Sequence, residues 1–117
     1  MSAIREDWVP SQAEFDAFAR LSGDDNPIHV DPDFAARTRF GRTVAHGMLI
    51  YARLWALMQR AAPGARLNRQ SLMFPAPCFA GDHVELVVEP LGGHRYVMRA
   101  VRLTDGAELL TGEAELA

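Results

Sequence analysis

The chain has 117 residues, 49% of them hydrophobic and 23% charged, enough for one core and too few for two. Its net charge of -3, with arginine as the only basic side chain besides histidine, excludes a basic field for nucleic acid. The lone cysteine, Cys78, excludes an intrachain disulfide and a cysteine-rich metal site.

No charged segment followed by an apolar one opens the chain. The longest apolar stretch, Gly47 to Met58, is interrupted by Arg53 and is too short to cross a bilayer. The expectation is a soluble, cytoplasmic protein with one domain over residues 1–117 and no membrane or nucleic-acid partner.

Residues 3–9 suit a short strand. Ser11-Gln12-Ala13-Glu14 then reads as a capping box, with Ser11 as N-cap and Glu14 reaching back. Phe15, Phe18, Ala19 and Leu21 follow at helical spacing, and Gly23 closes this first helix. Next comes a turn, Asp24 to His29, built on Asn26 and Pro27. Asp31-Pro32 reads as an N-cap followed by proline at the first helical position, opening a short helix that ends before Gly41. His46 to Ala62 is the longest helical candidate, apolar on nearly every side, so it is expected to be enclosed by other structure. Pro63-Gly64 stops it.

The remainder reads as strands. Arg66 to Phe74 runs into Pro75 and Pro77, which mark an edge or a bend. Val84, Leu86 and Val88 alternate with Glu85 and Glu89 as a half-buried strand. Gly92-Gly93 and Asp105-Gly106 turn the chain on either side of the strand His94 to Thr104. In the last strand Leu110, Gly112, Ala114 and Leu116 share one face. A long helix followed by an antiparallel meander is an α+β arrangement, most economically a curved sheet wrapped around that helix. The edges of so small a sheet are left open, and pairing with a second copy is the natural remedy.

The turn carries the chemistry. Gly23, Asn26 and Pro27 each restrict or permit the backbone in a different way, so Asp24 and His29 can be aimed at a common point. A carboxylate beside an imidazole is a minimal apparatus for moving protons to and from water near neutral pH. His46 either touches a substrate or hydrogen-bonds locally. His29, His46 and a nearby aspartate fit no zinc spacing, so no metal is expected. His83 and His94, beside turns, read as solvated, and Asp31 as a cap.

Phe18-Ala-Arg-Leu-Ser-Gly-Asp-Asp-Asn-Pro-Ile-His29, with Asp31 and Ala35, resembles the signature of MaoC-like, (R)-specific enoyl-CoA hydratases. The segments Val44 to Leu49 and Phe74 to Asp82 agree in order and spacing. The resemblance implies a hot-dog fold, no cofactor beyond the coenzyme A or acyl carrier protein of the substrate, and a homodimer with acyl pockets near the subunit boundary. It implies Asp24 and His29 as the catalytic pair, Asn26 and Pro27 as the turn that positions them, and Gly47 as the residue whose N–H faces the thioester oxygen.

The implied reaction is reversible syn addition of water to a trans-2-enoyl thioester, giving the (R)-3-hydroxyacyl product. Asp24 and His29 would bracket one water as a coupled pair. The Gly47 N–H, unpaired at the positive end of a helix, would stabilise the enolate-like oxygen. Tyr51 and Trp55 lie one turn apart where relatives that accept long acyl chains often carry smaller residues, and one of them is expected to narrow the acyl pocket. Arg37, Arg39, Arg42 and Arg66 are the candidates for the coenzyme A phosphates. The alternatives are a 3-hydroxyacyl carrier-protein dehydratase, a hot-dog acyl-CoA thioesterase and a non-catalytic acyl-thioester-binding subunit. Residues 46–62 contain no Asp, Glu, Ser or Thr, which argues against the thioesterase.

Overall fold

A computed structural model describes residues 2–117. Strand β1 (Ile4–Trp8) leads into helix α1 (Gln12–Ser22), a one-turn helix α2 (Pro27–Val30) and a short helix α3 (Pro32–Ala36). The long helix α4 (Gly47–Ala61) follows, then strands β2 (Leu67–Met73), β3 (Val84–Gly92), β4 (Arg95–Arg102) and β5 (Glu108–Leu116). All pairings are antiparallel, in the order β1-β3-β4-β5-β2, which puts β2 at an edge, with Pro75 and Pro77 just after it. This sheet, packed on α4, is the α+β hot-dog arrangement the resemblance implied. No helix among the described residues is long and apolar enough to cross a membrane.

Local chemistry sets the boundaries. Ser11 accepts from the Glu14 N–H while the Glu14 carboxylate accepts from the Ser11 N–H, closing the capping box. Gly23 ends α1 in the left-handed region at φ 81, and its N–H donates to the Ala19 carbonyl. Asp31 caps α3 through the N–H groups of Asp33 and Phe34. The segment expected to be a bare turn is partly helical: Asn26 is the N-cap of α2 and Pro27 its first residue.

Leu54, Leu57 and Met58 of α4 are fully buried against Val84, Leu86, Val88, Met98 and Ala100 of the sheet. Leu109 and Leu110 are both buried because the β4–β5 register shifts between Ala100 and Val101. Helix α4 is not enclosed, however. Ala52 and Ala56 are exposed, Met48 is 52% exposed, and Tyr51 and Trp55 are half-buried on the shoulder of that stripe. Five strands curl around one side of the helix only, and its other side remains apolar and uncovered.

Candidate active site

Helix α1 ends where the site begins. The Gly23 turn releases Asp24, whose N–H donates to Ser22 Oγ at 3.1 Å. Asn26 Oδ1 accepts from the Ile28 N–H at 3.1 Å, and the His29 N–H donates to the Asn26 carbonyl at 2.9 Å, so one turn of helix orients the imidazole. The segment 43–46 clamps that turn from the other side. The Val44 N–H donates to the Ile28 carbonyl, and the Val44 carbonyl sits 2.8 Å from His29 Nδ1. A carbonyl only accepts, so Nδ1 carries a hydrogen, and in the neutral ring Nε2 is the acceptor.

His29 Nε2 lies 3.8 Å from Asp24 Oδ2, too far for a hydrogen bond. Both atoms are acceptors, and one water can donate a hydrogen to each across that gap. The side chains are 14% and 55% exposed, so solvent reaches the pair from the Asp24 side. His46, only 2% exposed, lies behind them, stacked on His29 with ring centroids 3.8 Å apart. Burial pulls its pKa below the ordinary histidine value, and the neighbouring His29 acts in the same sense.

A cavity of about 450 Å³ opens beside this cluster, within the range of small-molecule sites. Asp24, His46 and Gly47 line one side of it, and the segment Phe74–Cys78 the other. Ile50 and Leu109 contribute apolar wall. His29 does not line the cavity; its Nε2 lies 3.8 Å from the carboxylate of Asp24, which does. Gly47 is the first residue of α4, so its N–H falls outside the helical ladder and points to the positive end of the helix. A Cβ on Gly47 would lie 2.7 Å from Cε1 of Phe74, so glycine is what lets the ring and the helix start share this space.

Tyr51 and Trp55 do not line the cavity of a single chain. Tyr51 instead donates from its hydroxyl to Gln70 Oε1 of β2 at 3.1 Å, and burial pushes its pKa up. Both side chains are half-buried and pack against the core from the shoulder of α4, beside its uncovered stripe. The absence of a zinc spacing also hid a proximity: ligand-type atoms of Asp24, His29 and His46 lie within 4.8 Å of one another. The two rings are stacked at 23°, so their in-plane lone pairs run nearly parallel. Bonds of about 2.0–2.1 Å to one ion need lone pairs that converge, which stacked rings do not offer.

Other contributors have no sequence signal. Gln12 Nε2 donates to the His29 carbonyl at 2.9 Å, and its Oε1 accepts from the Thr43 hydroxyl, tying α1 to both walls of the site. Arg102 donates to the Pro77 carbonyl and to Asp82 Oδ2, which anchors the Phe74–Cys78 wall to β4. Of the four arginine candidates, Arg39 lines the cavity. Arg42 is stacked on Phe79 at 4.0 Å, and Arg66 lies beside the end of β5.

Residues 3–109 match the family model described as MaoC like domain. The chain belongs to the MaoC-like family. Among MaoC-like relatives, an (R)-specific enoyl-CoA hydratase of Aeromonas caviae is 47% identical over 79 residues, 66% of this chain and 59% of that protein. A 3-hydroxybutyryl-CoA dehydratase of Methylorubrum extorquens is 42% identical over 81 residues, 68% of this chain and 52% of that one. The matched stretch thus spans a little over half the length of these curated relatives. Among solved structures, the (R)-hydratase from A. caviae superposes with a TM-score of 0.87 at 37% identity, covering 98% of this chain and 94% of that one. The R-hydratase PhaJ1 from Pseudomonas aeruginosa superposes with a TM-score of 0.89 at 30% identity, covering 97% and 77%. The MaoC-like chain therefore carries the hot-dog fold.

Proposed function

We propose that this MaoC-like chain is a hydro-lyase, an (R)-specific enoyl-CoA hydratase or 3-hydroxyacyl-thioester dehydratase working reversibly. The observation that carries the reading is the pair of free acceptors, Asp24 Oδ2 and His29 Nε2, 3.8 Å apart at the edge of a cavity opened by the Gly47 amide. One water donating to both acceptors is held with its oxygen lone pairs directed away from them, toward C3 of an enoyl group. As the C3–O bond forms, the pair takes a proton from the water and returns one to C2. Proton transfer by positioned groups of this kind is typically worth 10²–10⁴-fold. The Gly47 N–H receives the carbonyl oxygen as it becomes enolate-like. With base and acid on one face, oxygen and proton add syn.

Arg39, at the cavity mouth and stacked on Phe40 at 4.9 Å, is the cation available to a coenzyme A phosphate or to the phosphate of a carrier-borne pantetheine arm. The thioesterase reading has less support, because Gly47, Met48 and Ile50 bring no nucleophile or carboxylate from α4 to the cavity. A homodimer is favoured by the uncovered stripe of Met48, Ala52 and Ala56 and by the open edge of β2, which a second copy covers together. That arrangement brings Tyr51 and Trp55 to the subunit boundary, where they can still limit an acyl chain.

The test is incubation with crotonyl-CoA, following loss of the conjugated enoyl absorbance, release of free thiol and the configuration of the product. Formation of (R)-3-hydroxybutyryl-CoA without free thiol is expected. Free coenzyme A would establish the thioesterase, and binding without turnover would establish the non-catalytic subunit.

A further inference from the structure

The buried ring of His46 touches both members of the pair. One face lies on His29, with planes 23° apart, and Phe18 of α1 approaches at 4.9 Å. Its Nε2 is 2.8 Å from the carbonyl oxygen of Asp24. That oxygen can only accept, so Nε2 carries the hydrogen and Nδ1 is a lone pair. Nδ1 is buried and has no hydrogen-bond partner among the described residues.

We propose that His46 is a positioning residue: it sets Asp24 and His29 relative to one another, the first through the bond to its carbonyl and the second through the stacked ring, and takes no proton itself. This rests on the hydration reading above.

Asp24 needs such a tether. It lies in residues 24–26, between α1 and α2 and outside any helix or strand, and its side chain is more than half exposed. Among the described residues its carboxylate accepts a single, weak hydrogen bond, from the Asn26 N–H at 3.5 Å. The loop is therefore located by its backbone, through Ser22 Oγ on one side and His46 Nε2 on the other. His29 is already fixed in tautomer by Val44, and a flat neutral ring behind it fixes its plane.

Burial disfavours a charge on His46 and a charge there would oppose one on His29; the bond to the Asp24 carbonyl and the Asp24 carboxylate act the other way, and the net direction is down. The charged and titratable groups acting on it are Asp24, from the loop, and His29, from α2; Phe18 of α1 is uncharged.

The test compares two variants. His46→Gln keeps an N–H donor near the position of Nε2, whereas His46→Leu keeps volume and removes the donor and the ring. Loss of placement of order 1 Å costs about 10²-fold, so His46→Leu is expected to lower kcat by that factor with KM within about threefold. His46→Gln is expected to stay within about tenfold of wild type and to leave the acid limb of the kcat–pH profile where it was. In an Asp24→Asn background, His46→Leu is expected to cost less than about threefold more, because the pair is already broken.

Two measurements need no turnover. Nitrogen shifts of His46 should show the neutral Nε2–H tautomer persisting below the ordinary histidine value of 6.5. Amides of Asp24 to Asn26 should exchange faster in His46→Leu than in wild type. Full kcat in His46→Leu, a loss carried by KM, unchanged loop exchange, or a His46 that titrates at the ordinary value would each overturn the assignment. If the wild type turns over no enoyl thioester, the hydration reading falls, and the tautomer and the exchange rates still decide the tether.

Discussion

Gly47→Ala separates the chemistry of the helix start from its stability. The added Cβ would meet Phe74 at 2.7 Å from Cε1, 2.8 Å from Cζ and 3.1 Å from Cδ1. Carbon atoms sit comfortably at about 3.5–4.0 Å, so the ring must move by about 1 Å. Phe74 is 45% exposed and these are its far atoms, so it can swing toward solvent. The rotamer cost of roughly 0.5–1.5 kcal/mol is offset by the preference of a helix for alanine over glycine, up to about 1 kcal/mol. The melting temperature is therefore expected to change by less than about 5 °C. Activity is expected to respond differently, because Phe74 and Gly47 both line the cavity. A displaced wall beside the proposed oxyanion donor should lower kcat/KM for crotonyl-CoA by about 10²-fold. Gly112→Ala is the counterpart: its Cβ would meet the backbone carbonyl of Ser71 on β2, which cannot swing away. That variant should lose stability, with a melting temperature lower by more than about 8 °C. Enzyme assays beside thermal denaturation of both variants distinguish the two effects. Full kcat/KM in Gly47→Ala, or a destabilisation equal to that of Gly112→Ala, would refute the reasoning.

Three further outcomes are expected. Arg39→Ala should raise KM for crotonyl-CoA by about fivefold, the worth of one exposed charge contact, and leave kinetics with the phosphate-free N-acetylcysteamine thioester unchanged. Cys78, buried with its thiol pKa pushed up to about 12, should react with a disulfide reagent only after denaturant is added, as absorbance of the released thiol would show. The lowered pKa of His46 means that the folded state binds fewer protons than the unfolded chain as pH falls below the ordinary value of 6.5. Its contribution to stability is thus complete above that value and is lost on acidification through the folded pKa. Denaturation at about pH 5 and pH 7.5 should show a smaller difference for His46→Gln than for wild type.

Most of the fold was legible because its signals are local. The Ser11 capping box, the Gly23 stop, the Asn26-Pro27 turn and the glycine turns between strands each specify backbone conformation within a few residues. What was not legible depends on contacts between distant segments. His46 meets Asp24 and His29, 22 and 17 residues earlier, and the bonds between the 43–46 segment and α2 bring them together. Gln12 has a role because α1 lies beside the 43–46 segment, which no pattern around Gln12 announces. The apolar surface of α4 was read correctly as requiring cover, but the sheet of one chain supplies that cover on one side only. Spacing put Tyr51 and Trp55 on one face of α4 without showing which wall that face meets, and in a single chain they lie outside the cavity lining.

The most direct measurement is the rate of crotonyl-CoA hydration by wild type, Asp24→Asn, His29→Ala and the double variant. If both side chains act on one water, each single change should lower kcat by about 10²–10⁴-fold, and the double variant should be little slower than the slower single. A single variant that keeps the wild-type rate, or losses that multiply in the double variant, would contradict the shared water.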